Sequence, residues 1–376
     1  MELAILTSSR ADFGFYKPLI YLLQKQTKIK INLIAFGTHL SKKHGYTIND
    51  IKNCGFEVSY EVDLIPDGDS PTDIANTIGI AHQKFSELWA NNNFDLILCI
   101  GDRFEMFAAV SASVPFGIPV AHISGGEETL GAIDNVYRHT MSLMSKYHFT
   151  NTKKNSDRVK QITGQSDNVF NTGSLAIDNI NETQLFDANE FENEFRFDIT
   201  NPFILFTFHP ETVDYKNNFD YTIVLKQILL ETDKCVLVTM PNADTMGDFI
   251  RKELIDASNI NKNIYIVESL GSKGYYTALK NCDFVLGNSS SGIIEAASFA
   301  KYVINLGQRQ LGREFSSNVL HCNIDKIEIL KTIASIENLP QLGTQNIYGD
   351  GNAANNILAV LNDIAINKKI DLKATY

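Results

Sequence analysis

Residues 283–296 read DFVLGNSSSGIIEA, an apolar run followed by three serines between two glycines. The pattern predicts a buried strand that turns directly into a helix. A helix start has unpaired backbone N–H groups and a partial positive charge, and glycines let a ligand approach closely, so a phosphate could bind here. One serine serving as an ordinary N-cap, with the others as loop residues, fits the same stretch.

The same alternation of strand and helix runs through the whole chain. Short apolar runs predict strands at 2–7, 30–37, 56–62, 94–101, 118–124, 147–152 and 168–173, and again at 203–210, 235–244, 264–269, 283–290 and 301–307. Longer amphipathic stretches, such as 72–91, separate them, and another helix is predicted over 16–26. Near-continuous apolar strands between helices indicate parallel sheets covered on both faces. We therefore predict an α/β fold.

The length of 376 residues and the hydrophobic content of 44% favour two domains, each with its own core. The polar segment 181–201 is the least regular part of the chain. We predict an N-terminal Rossmann-like domain at 1–174, a C-terminal one at 175–352, and a helix and tail at 353–376 that return to the N-terminal domain. Two such halves imply a central cleft, with ligands at the carboxyl ends of the strands.

Composition excludes several classes of partner. The formal net charge of −11 argues against nucleic acid or an anionic membrane as a partner. Five cysteines without a C-x-x-C pair, and an N-terminus without a cleavable apolar segment, predict a cytoplasmic protein. Neither a G-x-G-x-x-G fingerprint after the first strand, nor a P-loop, nor a metal-spaced His/Cys cluster occurs, so we expect no cofactor and no metal.

Polar residues collect after the predicted strands of the first half. Arg10 and Asp12 follow the first strand on a predicted loop, and "GDRFE" places Asp102 and Arg103 at a helix start. After the fifth strand, residues 122–139 read HISGGEETLGAIDNVYRH. Carboxylates gathered by such a loop could remove and return protons on opposite faces of a sugar ring. The alternatives are solvated loop charges, an N-cap at Asp102, and a helix capped by Asp134.

The second half shows the same concentration of polar residues at strand ends. His209 ends one strand, Arg309 follows another, and Glu295 is predicted two helical turns beyond the serines. N–H groups and serines for phosphates, an arginine for charge and a carboxylate for ribose hydroxyls together indicate a nucleotide. A structural histidine and an N-cap serine are the alternatives.

In order along the chain, "SSRADFG", "GDRFE", "HISGGEETLGAID…RH", "HPET", "GNSSSGIIEA", "INLGQRQLGRE" and "NIYGDGNA" resemble the hydrolysing UDP-N-acetylglucosamine 2-epimerases of sialic acid synthesis. The resemblance covers about residues 5–360. It implies a glycosyltransferase-B-type fold and release of N-acetylmannosamine and UDP through a 2-acetamidoglucal. It also implies a homodimer or homotetramer whose partner is a small nucleotide-sugar.

The resemblance also implies roles for individual residues. The residues implied to contact UDP are Arg10, Arg103, His209, Ser289, Ser290, Glu295 and Arg309. Those implied to act at the sugar are Asp102, Glu127 and Asp134, with His39, Glu128, Arg138 and His139 as further sugar-side candidates. Some relatives carry "HIEGG" where this chain has Ser124, so Glu127, with Glu128 in reserve, is the candidate base at C2.

Four other functions remain open at this point. The same chemistry could act on UDP-2,4-diacetamido-2,4,6-trideoxyglucose of legionaminic acid synthesis, or a non-hydrolysing epimerase could return the UDP-sugar. A glycosyltransferase would need an acceptor groove. A non-catalytic sugar-nucleotide sensor would keep the serines and Arg309 but would not need Asp102, Glu127 and Asp134.

Overall fold

The computed structural model describes residues 1–42, 45–64, 70–130, 133–211, 214–241 and 246–367. The chain divides into two compact units. The first contains Met1–Glu127, Ile133–Asn179 and the segment from Tyr348 onward, and the second contains Ile180–Ile347 with a short segment that begins at Glu128. The tail predicted beyond residue 367 lies outside the described residues.

The first unit is built on a seven-stranded parallel sheet. Its strands are β1 (Glu2–Thr7), β2 (Lys30–Phe36), β3 (Tyr60–Val62), β4 (Leu96–Ile100), β5 (Val120–Ile123), β6 (Tyr147–Thr150) and β7 (Val169–Asn171). Its helices are α1 (Arg10–Leu23), α2 (Ile48–Asn53), α3 (Pro71–Asn91), α4 (Phe104–Ser113), α5 (Asp134–Met144), α6 (Lys153–Thr163) and, at the passage to the second unit, α7 (Leu175–Glu182). The order β3-β2-β1-β4-β5-β6-β7 reverses direction between β1 and β4. Ligands of open parallel sheets bind at such a reversal.

The second unit repeats the plan with six parallel strands. These are β8 (Phe203–Thr207), β9 (Cys235–Thr239), β10 (Ile264–Val267), β11 (Phe284–Gly287), β12 (Tyr302–Leu306) and β13 (Val319–Cys322). The helices are α8 (Ala188–Phe195), α9 (Asn218–Glu231), α10 (Gly247–Ile260), α11 (Gly271–Asn281), α12 (Ser290–Ile294) and α13 (Lys326–Ile336). The order β10-β9-β8-β11-β12-β13 reverses between β8 and β11. The α/β fold of two Rossmann-like, parallel-sheet units is thus confirmed.

The central strands of each sheet are buried on both faces, which is why they are apolar throughout. In β1, Leu3 and Ile5 pack into one core cluster, while Ala4 and Leu6 pack into the cluster on the other face. A last helix, α14 (Ala353–Asn367), adds Ile357 to the same cluster as Leu3. No helix among the described residues is long and apolar enough to cross a membrane.

The structure corrects three local expectations. Arg10 and Asp12 lie in the first turn of α1 rather than on a loop, because Ser9 caps the helix and its side chain accepts the Asp12 N–H. The helix after the serines is only α12, so Glu295 is its C-cap and is not two turns along it. The polar segment 181–201 contains α8, which a reciprocal capping box of Asp187 and Glu190 begins.

Candidate active site

The serine-rich start of α12 acts as a helix cap. The Ser289 side chain accepts the N–H of Ser291 at 3.4 Å, and Ser290 is the first residue of the helix. A Cβ on Gly287 would lie 1.8 Å from the Thr207 carbonyl oxygen, and one on Gly292 would lie 3.0 Å from Val303 Cγ1. Close packing of β11 against Thr207 of β8 therefore requires glycine at 287, and Gly292 packs tightly against Val303 of β12. Phosphate binding by Ser289 and Ser290 stays a prediction.

Glu295 lies buried at the end of α12. Tyr276 donates its hydroxyl to Glu295 Oε1 at 3.3 Å. Burial raises the pKa of Glu295 to about 7, and the hydrogen bonds from Ser291 and Tyr276 oppose that rise. The carboxyl group predicted to accept ribose hydroxyls can therefore change its charge near neutral pH.

His209 and Arg309 follow strands that are close in the sheet, β8 and β12, which flank β11. Asn288, after β11, accepts the His209 N–H at 2.7 Å and donates to the His209 carbonyl oxygen at 2.8 Å. Arg309 Nε donates to the carbonyl oxygen of Pro210 at 3.3 Å. Burial, with the charge of Arg309, lowers the pKa of His209 to about 4, so its ring is neutral at neutral pH.

Two residues that sequence reasoning did not select, Glu211 and Gln310, lie among the same loops. Glu211 is fully buried, and its Oε1 accepts the Gln308 N–H at 3.1 Å. Gln310 Nε2 donates to the carbonyl oxygen of Asn288 at 2.8 Å. Burial raises the pKa of Glu211, while hydrogen bonds from the backbone of Arg309 and from Asn288 oppose the rise.

In the first unit, Arg138 connects Asp102 to the Gly-Gly turn. Arg138 Nη2 forms an ion pair with Asp102, whose side chain is a quarter exposed, while the arginine side chain is nearly buried. Arg138 Nη1 donates to the Glu127 carbonyl oxygen at 2.8 Å and to Asn135 Oδ1 at 3.0 Å. Because Arg103 is the N-cap residue of α4, Asp102 is not the cap that one interpretation of the sequence favoured.

The Gly-Gly turn places Glu127 against α6. A Cβ on Gly126 would lie 2.3 Å from the Asn155 carbonyl oxygen, so only glycine fits there. Glu127 is buried, and Asn151 Nδ2 donates to its Oε1. Glu128, the alternative candidate for the base, belongs to the second unit.

Asp134 is the first residue of α5 and is half-buried. Burial raises its pKa, and the charge of Arg103 opposes the rise. Although burial disfavours the charge of Arg103, the carboxylates Glu105, Asp12 and Asp134 keep its pKa above the usual value. Arg103 Nη2 also pairs with the buried Glu105 at 2.8 Å. Arg103 thus lies among carboxylates.

The histidines of this unit differ in what they contact. His122 Nε2 lies 2.8 Å from the Gly101 carbonyl oxygen, and burial lowers the pKa of His122 to about 4. His39 is fully buried, with its ring nitrogens 2.9 Å from the hydroxyls of Thr7 and Thr47. These contacts tie structural elements together. His139 lies on α5, directly after Arg138.

Arg10 is the most exposed of the predicted UDP contacts in the first unit. Its side chain is 72% exposed, and its Nε lies 3.8 Å from Asp50. The structure therefore places the predicted residues in two groups. One lies after β1, β2, β4 and β5 in the first unit, and the other after β8, β11 and β12 in the second.

The sequence matches the family profile described as UDP-N-acetylglucosamine 2-epimerase over residues 22–362. A UDP-N,N'-diacetylbacillosamine 2-epimerase (hydrolyzing) from Legionella pneumophila is 31% identical over 98% of this chain and 97% of its own length. The polysialic acid biosynthesis protein P7 of Escherichia coli is 29% identical over 100% of this chain and 97% of its own. Among solved structures, the UDP-GlcNAc 2-epimerase from Neisseria meningitidis bound to UDP-GlcNAc has a TM-score of 0.80 at 19% identity, covering 96% of this chain and 100% of that one.

The two parallel-sheet units with polar strand ends define a glycosyltransferase-B-like protein, as the structural similarity also shows. The chain belongs to the UDP-N-acetylglucosamine 2-epimerase family, which comprises enzymes that act on UDP-activated sugars.

Proposed function

We propose that this enzyme is a hydrolysing 2-epimerase that converts UDP-N-acetylglucosamine to N-acetylmannosamine and UDP. The observation that carries the proposal is the set of carboxylates Asp102, Glu127 and Asp134 in the loops after β4 and β5 of the first unit. Arg138 pairs with Asp102, Asn151 donates to Glu127, and the charge of Arg103 acts on Asp134. Such a set provides both a base and an acid for proton transfer at carbon. Hydrolysing relatives, such as the one from Legionella pneumophila, support the release of UDP.

The reaction proceeds in two steps. The bond between C1 and the UDP oxygen breaks with its electron pair leaving on UDP, and Glu127 takes the C2 proton as the C1–C2 double bond of a 2-acetamidoglucal forms. Positive charge that develops at C1 makes the C2 proton removable. A proton then returns to C2 from the other face while the oxygen of a water molecule bonds to C1. The proton that this water loses replaces the one given to C2, and the proton held by Glu127 passes to solvent. Asp134, whose pKa burial raises, suits the return of the proton to C2.

The leaving UDP is stabilised in the second unit. Ser289, Ser290 and the amides at the start of α12 take the diphosphate, and Glu295 accepts the ribose hydroxyls. Arg309 and His209, after β12 and β8, complete the set in the second unit, and Arg10 and Arg103 of the first unit remain predicted UDP contacts. Positive charge aimed at the departing diphosphate lowers the barrier to cleavage at C1.

A second substrate is favoured by a specific observation. The 31% identical relative bears the name of a UDP-N,N'-diacetylbacillosamine 2-epimerase, so this chain could apply the same chemistry to UDP-2,4-diacetamido-2,4,6-trideoxyglucose. The two substrates differ at C4 and C6 and not at the reacting carbons.

A proton NMR time course in D₂O tests the proposal. With UDP-N-acetylglucosamine we expect free UDP and N-acetylmannosamine that carries deuterium at C2. UDP-N-acetylmannosamine as the product would instead establish a non-hydrolysing epimerase. UDP binding without turnover moves the assay to the 2,4-diacetamido substrate. Inertness toward both substrates contradicts the proposal and leaves a sensor or glycosyltransferase. An Asp102→Asn preparation is the control for contaminating activity.

A further inference from the structure

Three buried polar side chains connect the loops that follow β8, β11 and β12. They are Glu211, Asn288 and Gln310, which are at most 2% exposed. They belong to the stretches HPET, GNSSS and LGQRQLG, in which other residues are the predicted UDP contacts. We call these three residues the loop clamp.

Asn288 makes the central contacts of the clamp. Its side chain bonds both the N–H and the carbonyl oxygen of His209, at 2.7 and 2.8 Å. Its own carbonyl oxygen accepts Gln310 Nε2 at 2.8 Å. One asparagine thereby joins the loop of His209, the serine-rich loop and the loop of Arg309.

Glu211 closes the connection between the outer two loops. Its Oε1 accepts the Gln308 N–H at 3.1 Å and lies 3.5 Å from Asn288 Nδ2. A Cβ on Gly307 would lie 2.3 Å from Glu211 Oε1, so the loop before Arg309 packs directly onto the carboxylate. Gln308, the residue before Arg309, is therefore held by a buried acceptor.

We propose that Glu211 and Asn288 are positioning residues that set His209, Ser289 and Arg309 in register before UDP arrives. The inference rests on the proposed function, since it concerns the UDP side of that site. Loops that are already ordered lose little conformational entropy when UDP binds. Loss of this order should therefore weaken UDP affinity more than it slows cleavage of the bond at C1. Burial favours this loop arrangement, because breaking the bonds of Asn288 and of Glu211 Oε1 would leave further buried polar atoms unpaired.

The test compares UDP affinity by calorimetry with kcat and KM for Asn288→Ala, Glu211→Ala and Glu211→Gln. For the two alanine variants we expect UDP Kd and substrate KM to rise about tenfold, with kcat within about twofold of wild type. Glu211→Gln keeps an acceptor oxygen for the Gln308 N–H, so it should retain most of the affinity. Amide hydrogen exchange at His209 and Gln308, in the absence of ligand, reports whether the clamp has opened.

Asn261→Ala is the matched control. Asn261 also bridges two carbonyl oxygens, of Leu229 and Thr232 at 2.9 and 3.2 Å, but it precedes β10 instead of following a strand end. It should lower the Tm and leave UDP affinity unchanged. Clamp variants that exchange faster at His209 and Gln308 but keep wild-type UDP affinity would overturn the inference. An equal loss of UDP affinity in Asn261→Ala would also overturn it, and so would a wild-type protein that binds no UDP. UDP binding that depends on the clamp, without epimerisation, would uphold the inference and contradict the proposed reaction alone.

Discussion

Arg138 and Asp102 form an ion pair in which the arginine side chain is only 4% exposed. Arg138 also holds the Glu127 carbonyl oxygen, so one side chain fixes the position of a carboxylate and of the Gly-Gly turn. We expect Arg138→Met to lower kcat at least about 100-fold, because Asp102 and Glu127 lose their positions. Removing one partner of a buried pair should also cost about 3 kcal/mol of stability.

Arg158→Met is the control for that variant. Arg158 Nη1 donates to the Gly126 carbonyl oxygen at 3.0 Å, so it supports the same turn from α6. Steady-state kinetics and Tm on both variants separate positioning of the carboxylates from support of the turn. Equal kcat losses in the two variants would contradict a special role for the ion pair.

UDP affinity should depend on the charge of Glu295. Its pKa of about 7 means that the carboxylate is mostly neutral at pH 6 and ionised at pH 8. If the ionised form accepts both ribose hydroxyls as proposed, the Kd for UDP falls from pH 6 to pH 8. Glu295→Gln should weaken binding at pH 8 and flatten this part of the pH dependence. Comparing the Kd of the two proteins by calorimetry at each pH removes the contribution of UDP's own titration. Identical pH profiles of the Kd would contradict the assignment of Glu295 to the ribose.

The same carboxyl group should lower stability at neutral pH. Its folded pKa of about 7 lies above the ordinary glutamate pKa of 4.5, so the folded state binds the proton more tightly than the unfolded state does. Stability from this group is complete below pH 4.5 and is lost as pH rises through 7, by up to about 3 kcal/mol. We expect Glu295→Gln to raise the free energy of unfolding at pH 8, as measured in urea. If Glu295→Gln is less stable than the wild type at pH 8, the ionised carboxylate is stabilised by its surroundings and the prediction is wrong.

His122 and His148 should make the first unit sensitive to acid. Both are fully buried and face one another in register on β5 and β6, and burial lowers their pKa values to about 4 and about 3. The unfolded chain takes up protons below about pH 6.5 while the fold does not, so stability falls with pH through this range. At pH 5 the loss is about 2 kcal/mol for each histidine. His148→Leu should halve the loss attributed to this pair in urea titrations at pH 7 and 5, and an unchanged pH dependence would argue against it.

Asp178 should anchor the last helix. Its two carboxylate oxygens accept the N–H groups of Ala353 and Ala354, at 3.0 and 2.8 Å, at the start of α14. Asp178→Ala should cost about 1–2 kcal/mol and expose the junction before α14 to proteolysis, with little effect on kcat of the folded enzyme. Asp187→Ala removes the exposed cap of α8 and serves as the comparison. Equal losses of stability in the two variants would show that the buried double cap stabilises its helix no more than the exposed cap does.

The central strands could be predicted from the sequence because both of their faces are buried. The run 2–7 coincides with β1, and 72–91 nearly coincides with α3. The strand β13 was missed because only Cys322 in it is buried. The helix α8 was missed because it has only eight residues, although Ala188, Phe191 and Phe195 form a short apolar stripe and its D-x-x-E capping box was a usable signal.

Candidate site residues could be selected from the sequence by their type and their position after a strand. The contacts that these residues make could not be predicted. Asp102 and Arg138 lie 36 residues apart, and their pairing depends on the junctions after β4 and β5. The links from Asn288 to His209 span 79 residues, so no local pattern could reveal the loop clamp. His39 looked like a strand-end sugar contact, but burial between two threonines could be seen only in the fold.

The return of α14 to the first unit has a consequence for synthesis on the ribosome. The cluster around Leu3 and Leu19 is completed by Ile357 and Leu361, which are translated only after all of 180–347. Domains ordinarily fold in the order in which they are made. Here we expect the nascent N-terminal unit to wait, with part of its apolar surface uncovered, while the later unit folds first. That interval is when the chain most needs a chaperone.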